Sequence, residues 1–341
     1  MSLERSDEVV EIPSATRASD GVWRRLRRDR FAMIGGILVV AYLLVALAAP
    51  LITRLAGVDP YTYDLSALDG RGAPAGGWGG ISSEHWFGVQ PLTGRDMFAI
   101  VVVGSRASLV VGIGATALSV AIGTVLGLLA GYFGGVVDWI IARGVDVLIG
   151  LPALIFMIAV GAVAPSWLPR LLLLVVIIGF FGWTSIARVV RGQVMTLRSS
   201  GFVRASRALG ASHTQIIFRH LLPNLAATIV VFATIAIPGA IGAEAALSFL
   251  GVGVPPPTPS WGRSIGDAVT WFSVDPMYLV FPGLALFVLT LAFNAFGDGL
   301  RDALDPRTAQ LRTSRRRRVT GGRRTPTTPT STGTAPREVT P

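Results

Sequence analysis

The chain has 341 residues, 51% of them hydrophobic and only 15% charged, and its mean hydropathy is +0.60. Soluble domains carry about a quarter of their residues as charges, so lipid is the expected solvent for much of this chain. The net charge is +10 with arginine as the only basic residue besides histidine, and cysteine and lysine are both absent; this excludes disulfides, thiolate metal sites, cysteine nucleophiles and the lysine-bearing phosphate loop GxxxxGK[ST].

Residues 1–30 are expected to be a cytoplasmic N-terminal segment. The first twenty are polar, and the segment closes on the basic cluster WRRLRRDR. The run that follows, FAMIGGILVVAYLLVALAAPLI, is about 22 residues long, enough to cross about 30 Å of hydrocarbon at 1.5 Å per residue. It is too long for the apolar part of a secretory signal, so residues 31–54 are expected to be a retained first transmembrane helix. Residues 55–106 then form an external loop and interfacial segment, rich in Gly, Pro and Asp over 55–95 and carrying Trp78 and Trp86. Within it, Arg95 and Asp96 of the GRD triplet are read either as contacts for a binding protein or as caps of an interfacial helix.

Further apolar blocks lie near 108–132, 146–164, 168–187, 224–247 and 277–297. With the first, they predict an all-α integral membrane protein of about six spans, its transmembrane core occupying 107–298. Arginines concentrate in 1–30, 133–145, 188–223 and 298–341. The bias of arginine toward inside segments therefore puts both termini in the cytoplasm. Residues 299–341 form a cytoplasmic tail, expected to be disordered after about 308 because its Thr, Pro, Gly and Arg have little to bury. The arginines flank apolar runs or crowd this tail, a distribution that argues against nucleic acid as partner and for, at most, contact with membrane lipid. His85, His213 and His220 show no HExxH spacing, so no metal site is expected.

One cytoplasmic segment, 198–223, RSSGFVRASRALGASHTQIIFRHLLP, is cationic and has no acid. Phe202, Ala205 and Leu209 fall on one helical face, with Arg204 and Arg207 on another. Gly210 suits a left-handed helix end, Ser212 with Gln215 has capping-box spacing, and Pro223 allows a break before the next span. A helix, glycine, helix elbow results. Its apolar stripe either lies on lipid or packs against another protein.

Three further groups stand out. Glu244 is the first acid after Asp146 and falls near the outer end of the fifth span, where a charge is costly. It is read either as part of a translocation path or permease interface, or as an acid tolerated beside water or Arg263. Asn294 and Asp298 are expected to satisfy the inner end of the sixth span and its loop, with a gating role as the alternative. The proline-rich PPPTPSWG, 255–262, is expected to hold one shape.

The elbow resembles the coupling loop of ABC importer permeases, whose pattern is roughly EAA, three residues, Gly, about nine residues, then I-x-L-P. Ala205, Gly210, Ile217 and the pair Leu222 and Pro223 stand in matching places, whereas Arg204 occupies the place of the Glu and Ser206 that of the second Ala. Longer stretches, HWFGVQPLTGRDMF (85–98), GYFGGVVDWIIARGVDVLIGLP (131–152), ARVVRGQVMTLR (187–198), EAALSFLGVGVPPPTPSWG (244–262) and FPGLALFVLTLAFNAFGDGLRDALDPR (281–307), are similar to the dipeptide, oligopeptide and nickel permeases. They look most like the second permease of the pair, which carries the N-terminal extension. The resemblance implies a type I importer permease architecture and a path for peptides or a similar small solute. It also implies no chemistry on this chain: ATP and Mg would sit on two partner ATP-binding subunits. A homologous permease and an extracytoplasmic solute-binding protein would complete the assembly, and the elbow, through Phe202, Arg204, Ala205, Arg207, Leu209, Gly210, Ile217 and Pro223, would dock on an ATP-binding subunit. The alternative is a secondary transporter, which normally needs coupling-ion acids near the midplane; there is none between Asp146 and Glu244.

Overall fold

A computed structural model describes residues 23–304 with the exception of Ser166. The polar start of the chain and the arginine-rich tail, the latter expected to be disordered, lie outside the described residues. Within them the chain forms nine helices, α1 Arg30–Leu55, α2 Met97–Phe133, α3 Gly135–Gly150, α4 Ala153–Val163, α5 Arg170–Arg198, α6 Gly201–Ala208, α7 His213–Phe249, α8 Trp261–Ala268 and α9 Met277–Leu304, besides short turns, and no strands.

α1, α2, α5, α7 and α9 are each long and apolar enough to cross a bilayer. The third expected span is not one helix. α3 and α4 meet at a bend of 85°. The cause is local: Pro152 has no N–H to continue the ladder, and its ring forces Leu151 into an extended conformation (φ −83°, ψ 139°). The bent pair still makes one traverse. α3 leaves the end of the bundle where α2 finishes, and Arg170, at the start of α5, donates from Nη1 to the carbonyl of Gly161 in α4 at 2.8 Å. Six traverses therefore carry the chain between an elbow end and a loop end.

Close approach of backbones sets the packing. Along α2, Gly123, Gly127 and Gly131 recur every fourth residue and lie against Ile186, Ala187, Val190 and Val194 of α5. A Cβ on Gly127 would stand 2.7 Å from the carbonyl oxygen of Ala187, so only hydrogen fits, as is usual for helix pairs in lipid. Ser119 adds a hydrogen bond from its Oγ to the Gly179 carbonyl (2.9 Å). α1 joins α9 in the same way, through Gly35 against the Ala292 carbonyl and Gly299 against Ala32. Asp29 fixes the start of α1 by accepting from the amides of Phe31 (3.0 Å) and Ala32 (3.2 Å).

The loop end is elaborate. α2 begins at Met97, ten residues before the expected core, with Asp96 as its cap: Oδ1 accepts from Ala99 N at 2.7 Å, and Oδ2 meets His85 Nδ1 at 2.9 Å. Asp96 does cap a helix, but that helix is the membrane-spanning α2 and not a separate interfacial one. Arg95 is 7% exposed; its Nε donates to the carbonyl of Pro60, and its Nη2 to that of Pro257 (2.8 Å). The outer loop and the proline-rich strap are thereby tied together. Asn294 and Asp298 do not end a helix. α9 runs on to Leu304, and both residues lie on its exposed face.

Candidate functional site

Three elements build the elbow. α6 runs Gly201–Ala208, as its periodicity predicts. It ends in a Schellman turn: Gly210 adopts φ +85°, its N–H donates to the Arg207 carbonyl (3.0 Å), and Ala211 N–H donates to that of Ser206 (3.0 Å). Ser212 then caps α7, its Oγ accepting from Gln215 N at 3.2 Å.

The residue that seats α6 was not among those singled out. Val203 is fully buried, in a cluster with Ile216, Leu221, Leu225, Val194 and Tyr132. Enclosing a valine completely stabilises by roughly 1.5–3 kcal/mol relative to leaving it in water. Across the turn, Ser206 Oγ lies 3.2 Å from His220 Nε2. The stripe expected to be apolar and outward is outward: Phe202 is 45% exposed and Leu209 89% exposed, with Ala205 exposed beside them. Phe218 joins them at 64%. Arg204 and Arg207 are exposed, and Ile217 is half-buried against the cluster.

Pro223 makes no break, contrary to expectation. α7 continues from His213 to Phe249 because the backbone widens into a π turn over Ile216–Leu221, where the Leu222 N–H reaches back to the Ile217 carbonyl. The wide turn absorbs the misfit that the ring of Pro223 would otherwise impose on the preceding turn. The buried Ile216 and Leu221 hold it in place.

The elbow is fastened to the bundle through Tyr132, the penultimate residue of α2. Its hydroxyl lies 2.8 Å from His213 Nδ1 in α7, and the Arg207 guanidinium of α6 sits 5.7 Å from its ring centroid. Its carbonyl accepts from Arg198 Nη1 at the end of α5 (2.9 Å). Nearby, Arg191 of α5 grips Asp138 of α3 through two hydrogen bonds, one of 2.7 Å. The elbow is therefore fastened to α2, α5 and α7 together. An aromatic pair, Tyr132 and Phe133, directly before two glycines was the available sequence signal.

Glu244 requires a correction. It is 0% exposed and enclosed by this chain, so in this conformation it lines no path and reaches no seam with another permease. Nor does it pair with Arg263, which faces Asp267 at 3.4 Å. Instead its Oε2 accepts from Ser108 of α2 (2.9 Å), and its Oε1 accepts from Ser248 of α7 (2.8 Å) and from Ser260 at the head of α8 (3.1 Å). Ser248 Oγ in turn accepts from Val254 N at 3.2 Å. A buried carboxylate that accepts three hydroxyls is a tie between elements, since each donor recovers part of what leaving water costs.

Comparison with known proteins places this geometry. The model of the binding-protein-dependent transport system inner membrane component matches residues 123–310, and that of the N-terminal membrane domain of oligopeptide transport permease C matches 20–74. The oligopeptide transport system permease protein OppC of Bacillus subtilis is 36% identical over 308 residues, covering 86% of this chain and 96% of the relative. The glutathione transport system permease protein GsiD of Escherichia coli O157:H7 is 42% identical, with 84% and 89% covered. The dipeptide transport system permease protein DppC of Alkalihalophilus pseudofirmus is 37% identical, with 84% and 88% covered. Among solved structures, the MetNI methionine ABC transporter in an inward-facing form shares the fold, with TM-score 0.51 and 22% identity over 61% of this chain and 98% of the other. The chain belongs to the family of binding-protein-dependent transport system inner membrane components. It is a multi-pass permease of the bacterial inner membrane, of the ABC importer class, and the secondary-transporter alternative is set aside.

Proposed function

We propose that this permease forms half of the path of an importer for peptides or a similar small peptidic solute, and that its elbow is the docking point for a partner ATP-binding subunit. Two such subunits would hold ATP and Mg, and a solute-binding protein would deliver cargo at the loop end. The elbow end is then cytoplasmic. The observation that carries the reading is the elbow itself: a Schellman turn that projects Leu209 and Phe202 outward while Val203 anchors it from behind. Exposed apolar side chains flanked by arginines, on a rigid mount, suit a cleft in another protein.

The bent pair supports a second, homologous permease as partner. At its break the last carbonyls of α3 lack helical donors, and Ile149, Leu154 and Ile155 are exposed around it. Such backbone is tolerated at membrane depth only where protein or a water-filled path covers it. Relatives named for oligopeptides, dipeptides and glutathione support the peptidic class of solute.

The test is Leu209→Asp in the reconstituted importer. The expected result is normal insertion, loss of co-purifying ATP-binding subunit and loss of solute-stimulated ATP hydrolysis. Wild-type recovery and stimulation would remove the elbow as the docking point.

A further inference from the structure

At the loop end a cavity of about 410 Å³ opens between the end of the outer loop, the proline-rich strap and α8. Its size falls in the range of roughly 300–1,000 Å³ typical of small-molecule sites. Tyr63, Trp271 and Tyr278 supply aromatic wall, and Arg95, Arg263 and Asp267 supply charge. The arginines differ in circumstance. Arg95 donates to two carbonyls through Nε and Nη2, which leaves Nη1 without a partner among the described residues, and among them no carboxylate lies within ion-pair distance of it. Burial without such a partner pushes its guanidinium below the ordinary arginine range. Arg263 touches Asp267 only through Nε, at 3.4 Å. Its remaining donors carry no partner among the described residues. Two guanidinium groups and one carboxylate thus face one small space, set in a frame that the Pro60 and Pro257 carbonyls hold rigid.

We propose that this cavity binds a small zwitterionic solute of about dipeptide size, its carboxylate received by Arg95 and Arg263 and its ammonium by Asp267. Planar guanidinium donors suit a carboxylate in bidentate fashion. An arriving ammonium group takes over Asp267 and frees Arg263 for the carboxylate, so both ends of the solute are recognised by one exchange of partners. The site lies on the permease itself, at the mouth of the bundle. The inference rests on the permease reading above and names a solute class for it.

Equilibrium dialysis of radiolabelled alanyl-alanine against the assembled importer in nanodiscs, without the solute-binding protein, tests it. Saturable binding is expected, weakened about ten-fold or more by amidation of the C-terminus, the loss of one charge-assisted contact. Arg263→Gln should weaken alanyl-alanine to a similar degree. Asp267→Asn should weaken alanyl-alanine yet leave N-acetyl-alanyl-alanine unchanged. Arg95→Gln is not the primary test, because it also unties the strap. Absence of saturable binding, equal binding of the amide, or wild-type binding by Arg263→Gln would each overturn the proposal. A cavity occupied only when the solute-binding protein docks would overturn it as well. None of these failures touches the Leu209→Asp result, so the docking elbow and the solute site fall separately.

Discussion

The two ends of the bundle deal with polarity in opposite ways. At the loop end the chain buries charge and satisfies it from within: Arg95 on two carbonyls, Asp96 on an amide and His85, Glu244 on three hydroxyls, and Asp275 on the amides of Met277 (3.0 Å) and Tyr278 (3.3 Å). These four are the charged residues among those fully buried in the described structure. At the elbow end the buried side chains are almost all apolar, and Arg204, Arg207, Phe202 and Leu209 are turned outward. One end is complete in itself, and the other is finished by a neighbour. Substitutions at the loop end should therefore lower stability and uptake together, whereas those at the elbow should separate coupling from stability.

The largest effect is expected from the scaffold common to both ends. Gly127→Val sets a branched side chain against the Ala187 carbonyl and should cost about 3 kcal/mol. The α2–α5 pair would not close, and size-exclusion chromatography in detergent should show loss of the monodisperse permease. Next, Glu244→Leu leaves the Ser108 and Ser260 hydroxyls buried without their acceptor, at about 2 kcal/mol. A thermal melt in detergent should shift down with uptake falling in proportion; unchanged melting would mean that the loop end is not held by this tie. Gly210→Val places a branched residue at φ +85°, a strain of about 1–2 kcal/mol confined to the elbow. Insertion and the melt of the bundle should survive while ATP hydrolysis loses its link to transport, and wild-type transport would break the comparison.

Smaller effects sharpen it. Tyr132→Phe removes the hydroxyl that meets His213. Hydrogen bonds between membrane helices contribute about 0.6 kcal/mol on average. A double-mutant cycle with His213→Ala should return a coupling energy of that order in solute-stimulated hydrolysis, and additive losses would show that the two act separately. The smallest effect belongs to Arg204→Glu. If the docking cleft is acidic, as the acid-free elbow suggests by complementarity, reversal should cost about 0.2–1 kcal/mol and fade as salt rises. Recovery of the ATP-binding subunit at two ionic strengths reads it, and undiminished recovery at low salt would make Arg204 a solvated charge.

What was legible in the sequence was what neighbouring residues decide. α6, the left-handed Gly210 and the Ser212 cap depend on a few adjacent side chains, and all three were read in place. The break at Pro152 was also local, but the hydropathy of 146–164 hid it, since an apolar average is blind to a missing N–H. Pro223 failed the other way. Its ring announces an interruption, and only the packing of Ile216 and Leu221 converts that into a wider turn. Glu244 looked exceptional because its sequence neighbourhood holds no acid. One of its partners, Ser108, lies 136 residues away on another helix, which no local pattern reveals. Val203 was overlooked because a lone valine among arginines makes no stripe.

The π turn over Ile216–Leu221 also fixes an angle. A single such turn acts as one residue added to an α-helix, and one residue advances the helical wheel by about 100°. From Leu225 to Glu244 and Ser248, every position on α7 keeps its compass bearing because of that added residue. Were the same residues wound as regular α-helix, the elbow's surface chemistry would be nearly unchanged, yet the far half of the helix would be rotated by more than a quarter turn and Glu244 would swing away from its serines. The bearing of the far half of the helix is thus set by the shape of this one turn, although no single amino acid in it carries the information.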